Sequence, residues 1–203
     1  SKRIAELIIQ AFANQQKKFN TKIRFSMVRF GNVLDSSGSV IPKFRKQIQE
    51  RMPITLTHPD IKRFFMTIEE AAELVIQAGA MSNGGEVFLL DMGESVKIYD
   101  LAVKMIQFSG LKLKDKNNIN GDIEIKITGL RPGEKLFEEL LIEDNSLPTI
   151  HPKIFKAQED FVPWEQLAKE IDYLEKLIYK NDVKNIISIL TKLVIGYKPP
   201  KEI

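Results

Sequence analysis

The 203 residues are 43% hydrophobic and 28% charged, a composition typical of a globular protein with one domain or one and a half. The 30 basic and 27 acidic residues leave a net charge of +3 without a dominant basic block, which argues against a nucleic-acid partner. Cysteine is absent, so disulfides and thiolate metal sites are excluded, and no apolar run reaches the ~20 residues that cross a bilayer.

The first predicted element is a helix that begins within the first few residues. Ile4, Leu7, Ile8 and Phe12 recur at helical spacing and lie on one side of it. No initiator methionine and almost no lead-in precede this helix. We therefore expect the chain to be a C-terminal piece of a longer protein.

A predicted strand and a polar loop follow the helix. Residues 23–30 alternate and are rich in β-branched and aromatic side chains, and residues 31–38 then supply Gly, Asn, Asp and Ser. Loops at the carboxyl ends of strands line the ligand crevice of open α/β sheets, but polar loops are equally common as plain connections. Both interpretations stay open. Ser39 is predicted to cap the next helix, which runs to about residue 50 with Pro42 in its first turn.

The rest of the chain alternates strands and helices. We predict strands at 54–57, 86–90 and 122–128, helices at 67–79, 95–108, from 164 and at 186–194, and a surface loop at 111–121. Thr67 and Glu70 form the capping-box pattern that opens the helix at 67. The alternation predicts an α/β fold, with too few strands for a complete doubly wound domain and its cofactor half.

Three arginines follow or close strand signals: Arg29, Arg63 and Arg131. If their loops converge, two guanidiniums can hold a diphosphate by bidentate, charge-assisted hydrogen bonds. An isolated arginine is more often solvated or structural, and Arg29 can simply anchor its loop. Arg131 is the strongest candidate, because the Pro-Gly dipeptide after it constrains the backbone and Glu134 offers a carboxylate suited to two sugar hydroxyls.

Asn32 is a further polar candidate. Its amide can donate to a phosphate or sugar oxygen, or it can satisfy backbone groups in a turn, which is the commoner use. His58 and His151 each precede proline and are far apart in sequence, so we predict no metal site and a structural role for both.

Five motifs in this order resemble the C-terminal half of a bacterial enzyme family. They are Ser1-Lys-Arg3, Arg29-Phe-Gly-Asn-Val33, Gly38-Ser-Val-Ile-Pro42, Arg63-Phe-Phe-Met-Thr67 and Leu130-Arg-Pro-Gly-Glu-Lys135. The family is the polysaccharide-biosynthesis nucleotide-sugar dehydratases of the UDP-N-acetylglucosamine 4,6-dehydratase type, which are extended short-chain dehydrogenase/reductases. The resemblance covers Ser1 to about Lys156 and is weaker beyond Phe161.

The resemblance implies the C-terminal portion of an extended short-chain dehydrogenase/reductase (Rossmann-like) α/β fold, with the small substrate-binding subdomain and without the N-terminal cofactor half. We expect residues 1–160 to be the substrate-binding half of the dehydratase domain and residues 161–203 to be a C-terminal helical extension. The glycine-rich dinucleotide fingerprint and the family's Thr-Asp-Lys run are absent from these 203 residues.

The resemblance also implies site residues. Lys2 matches the family's active-site lysine, which contacts the nicotinamide ribose and helps set the acid/base environment, so it is expected to be both catalytic and cofactor-binding. The positions that match residues holding the UDP moiety are Asn32, Arg63, Arg131 and Glu134. The positions that match the segment lining the uracil pocket are Val40, Pro42 and Lys43.

The implied reaction is oxidation at C4 by NAD or NADP, elimination of water across C5 and C6, and return of the hydride to C6. We expect the UDP-sugar-binding half of a UDP-N-acetylglucosamine 4,6-dehydratase of bacterial surface polysaccharide biosynthesis, inactive as this fragment. A UDP-sugar 4-epimerase or reductase of the same superfamily, and a non-catalytic sugar-nucleotide or protein-interaction module, stay open as alternatives.

The expected partners are UDP-N-acetylglucosamine or a related UDP-sugar, the missing N-terminal half, and further copies of the chain in a homo-oligomer. We expect a cytoplasmic location. In the family the parent protein is often anchored to the inner membrane with this domain on the cytoplasmic side.

Overall fold

The computed structural model describes residues 2–18, 22–138, 146–157 and 161–199. The chain divides into two compact units that interleave along the sequence. The first unit comprises Ser1–Arg29, Glu73–Asp91 and Leu140–Ile203, and the second comprises Phe30–Ala72 and Met92–Glu139. The predicted α/β class is confirmed, with parallel strand pairs in both units.

The described residues form six helices and eleven strands. The helices are α1 (Lys2–Lys18), α2 (Val40–Gln49), α3 (Ile68–Met81), α4 (Ile98–Phe108), α5 (Trp164–Tyr179) and α6 (Val183–Leu193). The strands are β1 (Met27–Arg29), β2 (Asn32–Val33), β3 (Ile54–Leu56), β4 (Lys62–Arg63), β5 (Phe65–Met66), β6 (Val87–Leu90), β7 (Val96–Lys97), β8 (Leu113–Lys114), β9 (Ile123–Ile127), β10 (Ser146–Pro148) and β11 (Ile154–Ala157).

The first unit contains a four-stranded sheet in the order β1-β6-β11-β10. Strand β1 runs parallel to β6 with Met27 opposite Val87, whereas β11 runs antiparallel to β6 with Ile154 opposite Leu90. All four residues of β6 are buried. This burial explains why the sequence of β6 is an unbroken apolar run rather than an alternating one.

Three helices of the first unit share a second apolar cluster. Helices α1, α5 and α6 contribute buried side chains such as Leu7 and Leu167 to it. The ring of Phe12 lies edge-on to those of Phe25 and Trp164, with centroid separations of 5.8 and 5.4 Å, a favourable geometry for aromatic pairs. These contacts fix α1, the helix that begins at Lys2, against the C-terminal helices.

The second unit is built on three small sheets. Strands β3, β9 and β8 form a parallel sheet, β2 pairs with β5 in parallel, and β4 pairs with β7 in antiparallel orientation. Helices α2 and α4 pack on one apolar core, whose buried members are Phe44, Ile48, Ile54, Leu56, Ile61, Ile98, Ala102, Ile106 and Ile123. Of the predicted substrate residues, Arg131 and Glu134 follow β9, whereas Asn32 begins β2 and Arg63 ends β4. The other three, Val40, Pro42 and Lys43, lie in the first turns of α2.

Most predicted elements are confirmed with shifted ends. The helix at 40–50 is observed as α2, and the capping box is supported by a 3.1 Å hydrogen bond from the Glu70 N–H to Thr67 Oγ1. The strand predicted at 23–30 is wrong in length, since only β1 has strand geometry and Ile23 is 64% exposed. The helix predicted from 95 begins at Ile98, because Val96 and Lys97 pair with β4 instead.

The surface loop predicted at 111–121 is wrong in part, because it contains β8, which pairs with β9. Other predictions fall on residues that the structure does not describe. Ser1 of the first motif, residues 139–142 of the chain and the residues just before position 161 lie outside the described ranges. Within those ranges, no helix combines the length and apolar character needed to cross a membrane.

Candidate functional site

A tight turn from Arg131 to Glu134 fixes the strongest predicted ligand residue. The Glu134 N–H donates to the Arg131 carbonyl at 2.9 Å. Pro132 takes the second position and Gly133 the third with φ of +76°, which is the type II pattern. The Glu134 side chain also reaches back, and its Oε2 accepts from the Arg131 N–H at 3.0 Å. Two hydrogen bonds to one residue therefore hold the Arg131 backbone.

The Arg131 side chain is exposed. Its guanidinium has no hydrogen-bond or ion-pair partner within the described part of the chain. A guanidinium offers five N–H donors in a rigid fork that matches phosphate oxygens. Among the described residues, the Arg131 guanidinium is thus unpaired, and the turn holds the backbone that carries it.

The Glu134 carboxylate is held from a second direction. Its Oε1 accepts from Thr57 Oγ1 at 3.1 Å and lies 3.9 Å from Arg63 Nη2. Each carboxylate oxygen has two acceptor positions, so both oxygens of Glu134 retain capacity for a ligand hydroxyl. Thr57 directly follows β3, and its hydroxyl orients the carboxylate.

Arg63, which ends β4, clamps the segment after this turn. Its Nη1 donates to the carbonyls of Lys62 and Leu136 at 2.7 and 3.2 Å, and its Nη2 donates to the carbonyl of Lys135 at 2.8 Å. Its Nε lies 3.4 Å from Glu138 Oε1, and the side chain is only 15% exposed. Most N–H groups of the Arg63 guanidinium therefore donate to acceptors of the protein itself.

Glu138 joins the predicted residues into one cluster. Its Oε1 accepts from Asn32 Nδ2 at 3.4 Å and faces Arg63. Its Oε2 is buried and has no hydrogen-bond partner among the described residues. A buried acceptor left without a donor costs free energy.

Sequence reasoning did not identify Glu138 or Thr57. Glu138 stands four residues after Glu134, and nothing local marks its carboxylate as buried. The position of Thr57 could have indicated a site residue, because Thr57 is the last residue of a predicted strand and ligand-binding loops lie at the carboxyl ends of strands.

The loop before α2 and the first turn of α2 carry the residues predicted to line the uracil pocket. Ser39 occupies the predicted N-cap position, but its hydroxyl makes no capping hydrogen bond. Val40 is partly buried against the second-unit core, Pro42 is partly buried, and Lys43 is exposed. Val40 thus has a packing role, and the pocket itself stays a prediction.

Lys2 and Arg29 belong to the first unit. Lys2 begins α1, is exposed, and has no side-chain partner among the described residues. Arg29 makes two short hydrogen bonds to Glu6, from Nε to Oε1 at 2.7 Å and from Nη2 to Oε2 at 2.6 Å. The structure therefore favours the anchoring interpretation of Arg29 over a direct role in diphosphate binding.

The Glu6 carboxylate is ionised in this pair. Burial raises its pKa, but hydrogen bonds and charge from Arg29 and Arg3 outweigh burial and hold the pKa below its ordinary value.

Among the described residues, no three His, Asp or Glu side chains come together as a metal site requires.

Comparison with known proteins gives consistent matches. The family described as polysaccharide biosynthesis protein matches residues 1–159. The capsular polysaccharide biosynthesis protein CapD of Staphylococcus aureus is 45% identical over 194 residues, which are 95% of this chain and 30% of that protein. The X-ray structure of Pen from Bacillus thuringiensis aligns with a TM-score of 0.64 at 35% identity, over 78% of this chain and 47% of that one.

Relatives named for an activity fall into two groups. A UDP-N-acetylglucosamine 4,6-dehydratase (inverting) of Campylobacter jejuni is 35% identical over 130 residues, 63% of this chain and 34% of that protein. A UDP-glucose 4-epimerase of Rickettsia bellii is 31% identical over 131 residues, 64% of this chain and 35% of that protein. The chain thus spans about a third of the length of the curated relatives that it matches.

Proposed function

Because this chain belongs to the polysaccharide biosynthesis protein family, we propose that it is the UDP-sugar-binding half of a UDP-N-acetylglucosamine 4,6-dehydratase. The resemblance inferred from five sequence motifs is confirmed at the level of the family. The relatives include nucleotide-sugar dehydratases and epimerases. The particular substrate and reaction are the proposal.

The observation that carries the proposal is the arrangement of free groups around the Arg131–Glu134 turn. Within the part of the chain that the structure describes, the Arg131 guanidinium is unpaired and Glu134 keeps acceptor capacity on both oxygens. A UDP-sugar supplies the complement, a diphosphate for the fork and hydroxyls for the carboxylate. We assign the diphosphate to Arg131 and ribose hydroxyls to Glu134.

Asn32 and Arg63 act in this proposal mainly by positioning. Arg63 holds the carbonyls of Lys135 and Leu136, and both residues hold Glu138. Their hydrogen bonds fix the carboxylate cluster before the ligand arrives, which lowers the entropy cost of binding. Val40, Pro42 and Lys43 are proposed to line the base pocket.

The cofactor of the parent enzyme is proposed to be NAD or NADP. Lys2 is exposed at the start of α1 and is proposed to contact a ribose hydroxyl of the dinucleotide. A single contact of this kind does not make a dinucleotide site. The 203 residues contain no Gly-x-Gly-x-x-Gly to bring a backbone close to a dinucleotide diphosphate. The residues of this chain alone therefore do not fit a dinucleotide, and we assign them substrate binding and orientation.

From this division of roles we propose that the chain is inactive by itself and acts together with an N-terminal cofactor half, in a homo-oligomer and in the cytoplasm. The diphosphate is remote from the C4 to C6 chemistry. Its binding energy serves to hold the sugar in place for groups supplied by the other half.

Product analysis tests the proposal. The complete protein that contains these residues is purified and incubated with UDP-N-acetylglucosamine, and the product is examined by mass spectrometry. A dehydratase yields a 4-keto sugar lighter by one water. Recovery of unchanged substrate after prolonged incubation with NAD or NADP would contradict the proposal.

A UDP-sugar 4-epimerase is the second candidate, and the epimerase relative favours it. The same experiment separates the two, because an epimer has the same mass as the substrate and differs only in chromatography and NMR. Binding of UDP without any turnover by the complete protein would instead favour a non-catalytic sugar-nucleotide module.

A further inference from the structure

Thr57 is a partly buried residue that directly follows β3 in the second unit. Its Oγ1 lies 3.1 Å from Glu134 Oε1, although the two residues stand 77 positions apart in the sequence. A carboxylate oxygen accepts hydrogen bonds, so the Thr57 hydroxyl is the donor. The contact therefore joins the end of a core strand to the turn that carries Arg131 and Glu134.

The two oxygens of the Glu134 carboxylate are held from different directions. Oε1 accepts from Thr57, and Oε2 accepts from the Arg131 N–H at 3.0 Å. Arg63 Nη2 lies 3.9 Å from Oε1, so its charge attracts the carboxylate from beyond hydrogen-bond distance. Without the Thr57 hydroxyl, the carboxylate would keep the hydrogen bond at Oε2 alone and could rotate about it.

The anchor of this contact does not belong to the turn. Thr57 continues from β3, whose Ile54 and Leu56 are buried in the core of the second unit. The packing of that core fixes the backbone from which the Thr57 hydroxyl reaches Glu134. The orientation of the carboxylate is therefore set before a ligand arrives, which lowers the entropy cost of binding.

The held carboxylate keeps one acceptor position on each oxygen, because each oxygen has two and one is occupied. The Glu134 side chain is 21% exposed, so a ligand can approach it from solvent. Two such positions on one carboxylate match two hydroxyl groups on adjacent carbons, as in the 2′,3′-diol of ribose. A 2′-deoxyribose supplies one hydroxyl and leaves the other position without its donor, which a site built for two hydroxyls disfavours.

We propose that Thr57 is a positioning residue that makes this site select ribonucleoside diphosphates over their 2′-deoxy counterparts. Its hydroxyl holds Glu134 in the one orientation in which both carboxylate oxygens accept from the ribose. The proposal rests on the proposed function, in which Glu134 binds ribose hydroxyls. It adds the selectivity for ribose and assigns that selectivity to a residue that acts through Glu134.

Calorimetric titration of UDP and of 2′-deoxy-UDP into the complete protein that contains these residues tests the proposal. The deciding quantity is the ratio of the dissociation constant of 2′-deoxy-UDP to that of UDP. Thr57→Val and Thr57→Ala remove the hydroxyl, and Thr57→Ser keeps it. Thr55→Val is the matched control, because Thr55 is a partly buried threonine of β3 whose Oγ1 accepts from Gln47 Nε2 at 3.0 Å.

In wild type and Thr57→Ser, UDP should bind at least about tenfold more tightly than 2′-deoxy-UDP, the scale of a hydrogen bond to a charged group. Thr57→Val should weaken UDP binding by about tenfold and leave 2′-deoxy-UDP binding nearly unchanged, so the ratio should fall toward one. Thr55→Val should lower Tm through loss of its own hydrogen bond and keep the wild-type ratio.

A purely structural role of Thr57 would lower Tm and leave the ratio at its wild-type value, which would overturn the proposal. Equal dissociation constants for the two nucleotides in wild type would overturn it as well. If Thr57→Val does not fold, Thr57→Ala decides in its place. Failure of the wild-type protein to bind UDP at all would overturn the proposed function itself, and the two failures are thereby distinguished.

Discussion

Glu134 is hydrogen-bonded to Arg131 twice, through its own N–H to the Arg131 carbonyl at 2.9 Å and through its carboxylate to the Arg131 N–H at 3.0 Å. Both bonds involve only the backbone of Arg131. The geometry of the turn therefore does not depend on the Arg131 side chain, which is exposed. Structural and binding roles of this residue can consequently be separated by changing its side chain.

Gly31→Ala should destabilise the second unit by about 1–3 kcal/mol, the usual cost of overpacking. A Cβ at Gly31 would lie 2.7 Å from Met92 Sδ and 2.9 Å from both Cβ and the carbonyl oxygen of Phe64. That carbonyl accepts from the Asn32 N–H, so it cannot retreat without loss of strand pairing. Urea unfolding measures the change in the free energy of unfolding.

Gly79→Ala is the matched control for this substitution. Gly79 lies in α3 with no atom within 4 Å of the added Cβ, so the change should stabilise by about 0.5–1 kcal/mol through helix propensity. If Gly31→Ala proved as stable as wild type, the loop before β2 would have to relax freely, and the close packing of Gly31 would not be required by the fold.

Glu6→Gln should destabilise the first unit and remove part of its acid sensitivity. The folded-state pKa of Glu6 lies below its ordinary value of 4.5. The ionised pair with Arg29 thus stabilises the fold above about pH 4.5, and this contribution is lost as the pH falls through the lower folded-state value. At pH 7 we expect a loss of roughly 2–3 kcal/mol, less than for a fully buried pair.

Asp35→Asn, which breaks an exposed ion pair, is the control for Glu6→Gln. It breaks the ion pair between Asp35 and Arg45, whose side chains are both 52% exposed, and should cost at most about 1 kcal/mol. Urea midpoints at pH 7 and at acid pH compare the variants. If the urea midpoint of Glu6→Gln fell between pH 7 and acid pH by as much as that of wild type, Glu6 would not be a source of acid sensitivity.

Glu138→Gln should lower Tm, because the carboxylate of Glu138 accepts from Asn32 and faces Arg63. The dissociation constant for UDP-N-acetylglucosamine should change by less than about tenfold, since Glu138 acts by holding these residues. A loss of affinity of about tenfold or more with an unchanged Tm would instead assign Glu138 a direct contact with the ligand. Calorimetric titration beside thermal melts measures both.

The sequence was most informative where local chemistry decides the structure. Thr67 and Glu70 marked the start of α3, and the apolar run of β6 marked a buried strand. The ends of strands and helices were less predictable, because they depend on which strands pair with each other. Residues 23–26 alternate like a strand, but only β1 pairs in register with β6, and the short β7 delays the start of α4 by pairing with β4.

In the candidate site, too, the sequence predicted local features but not contacts between distant residues. The Pro-Gly turn beside Arg131 was readable, since its backbone demands those two residues. The burial of Glu138 was not, because Asn32 and Arg63 come from distant parts of the sequence to contact it. The roles of the eight predicted site residues and the boundary at residue 160 stay predictions.

Titration of UDP into the wild-type chain and into Arg131→Lys tests the central claim most directly. Lysine keeps the charge but loses the bidentate fork, so UDP should bind more weakly by ~1–3 kcal/mol, or about 5- to 150-fold. Tm should stay unchanged, because the turn is held by Glu134 and the Arg131 backbone. Arg45→Lys, at another exposed arginine of the second unit, should leave the affinity at the wild-type value. Equal dissociation constants for wild type and Arg131→Lys would remove Arg131 from the site and contradict its assignment to the diphosphate.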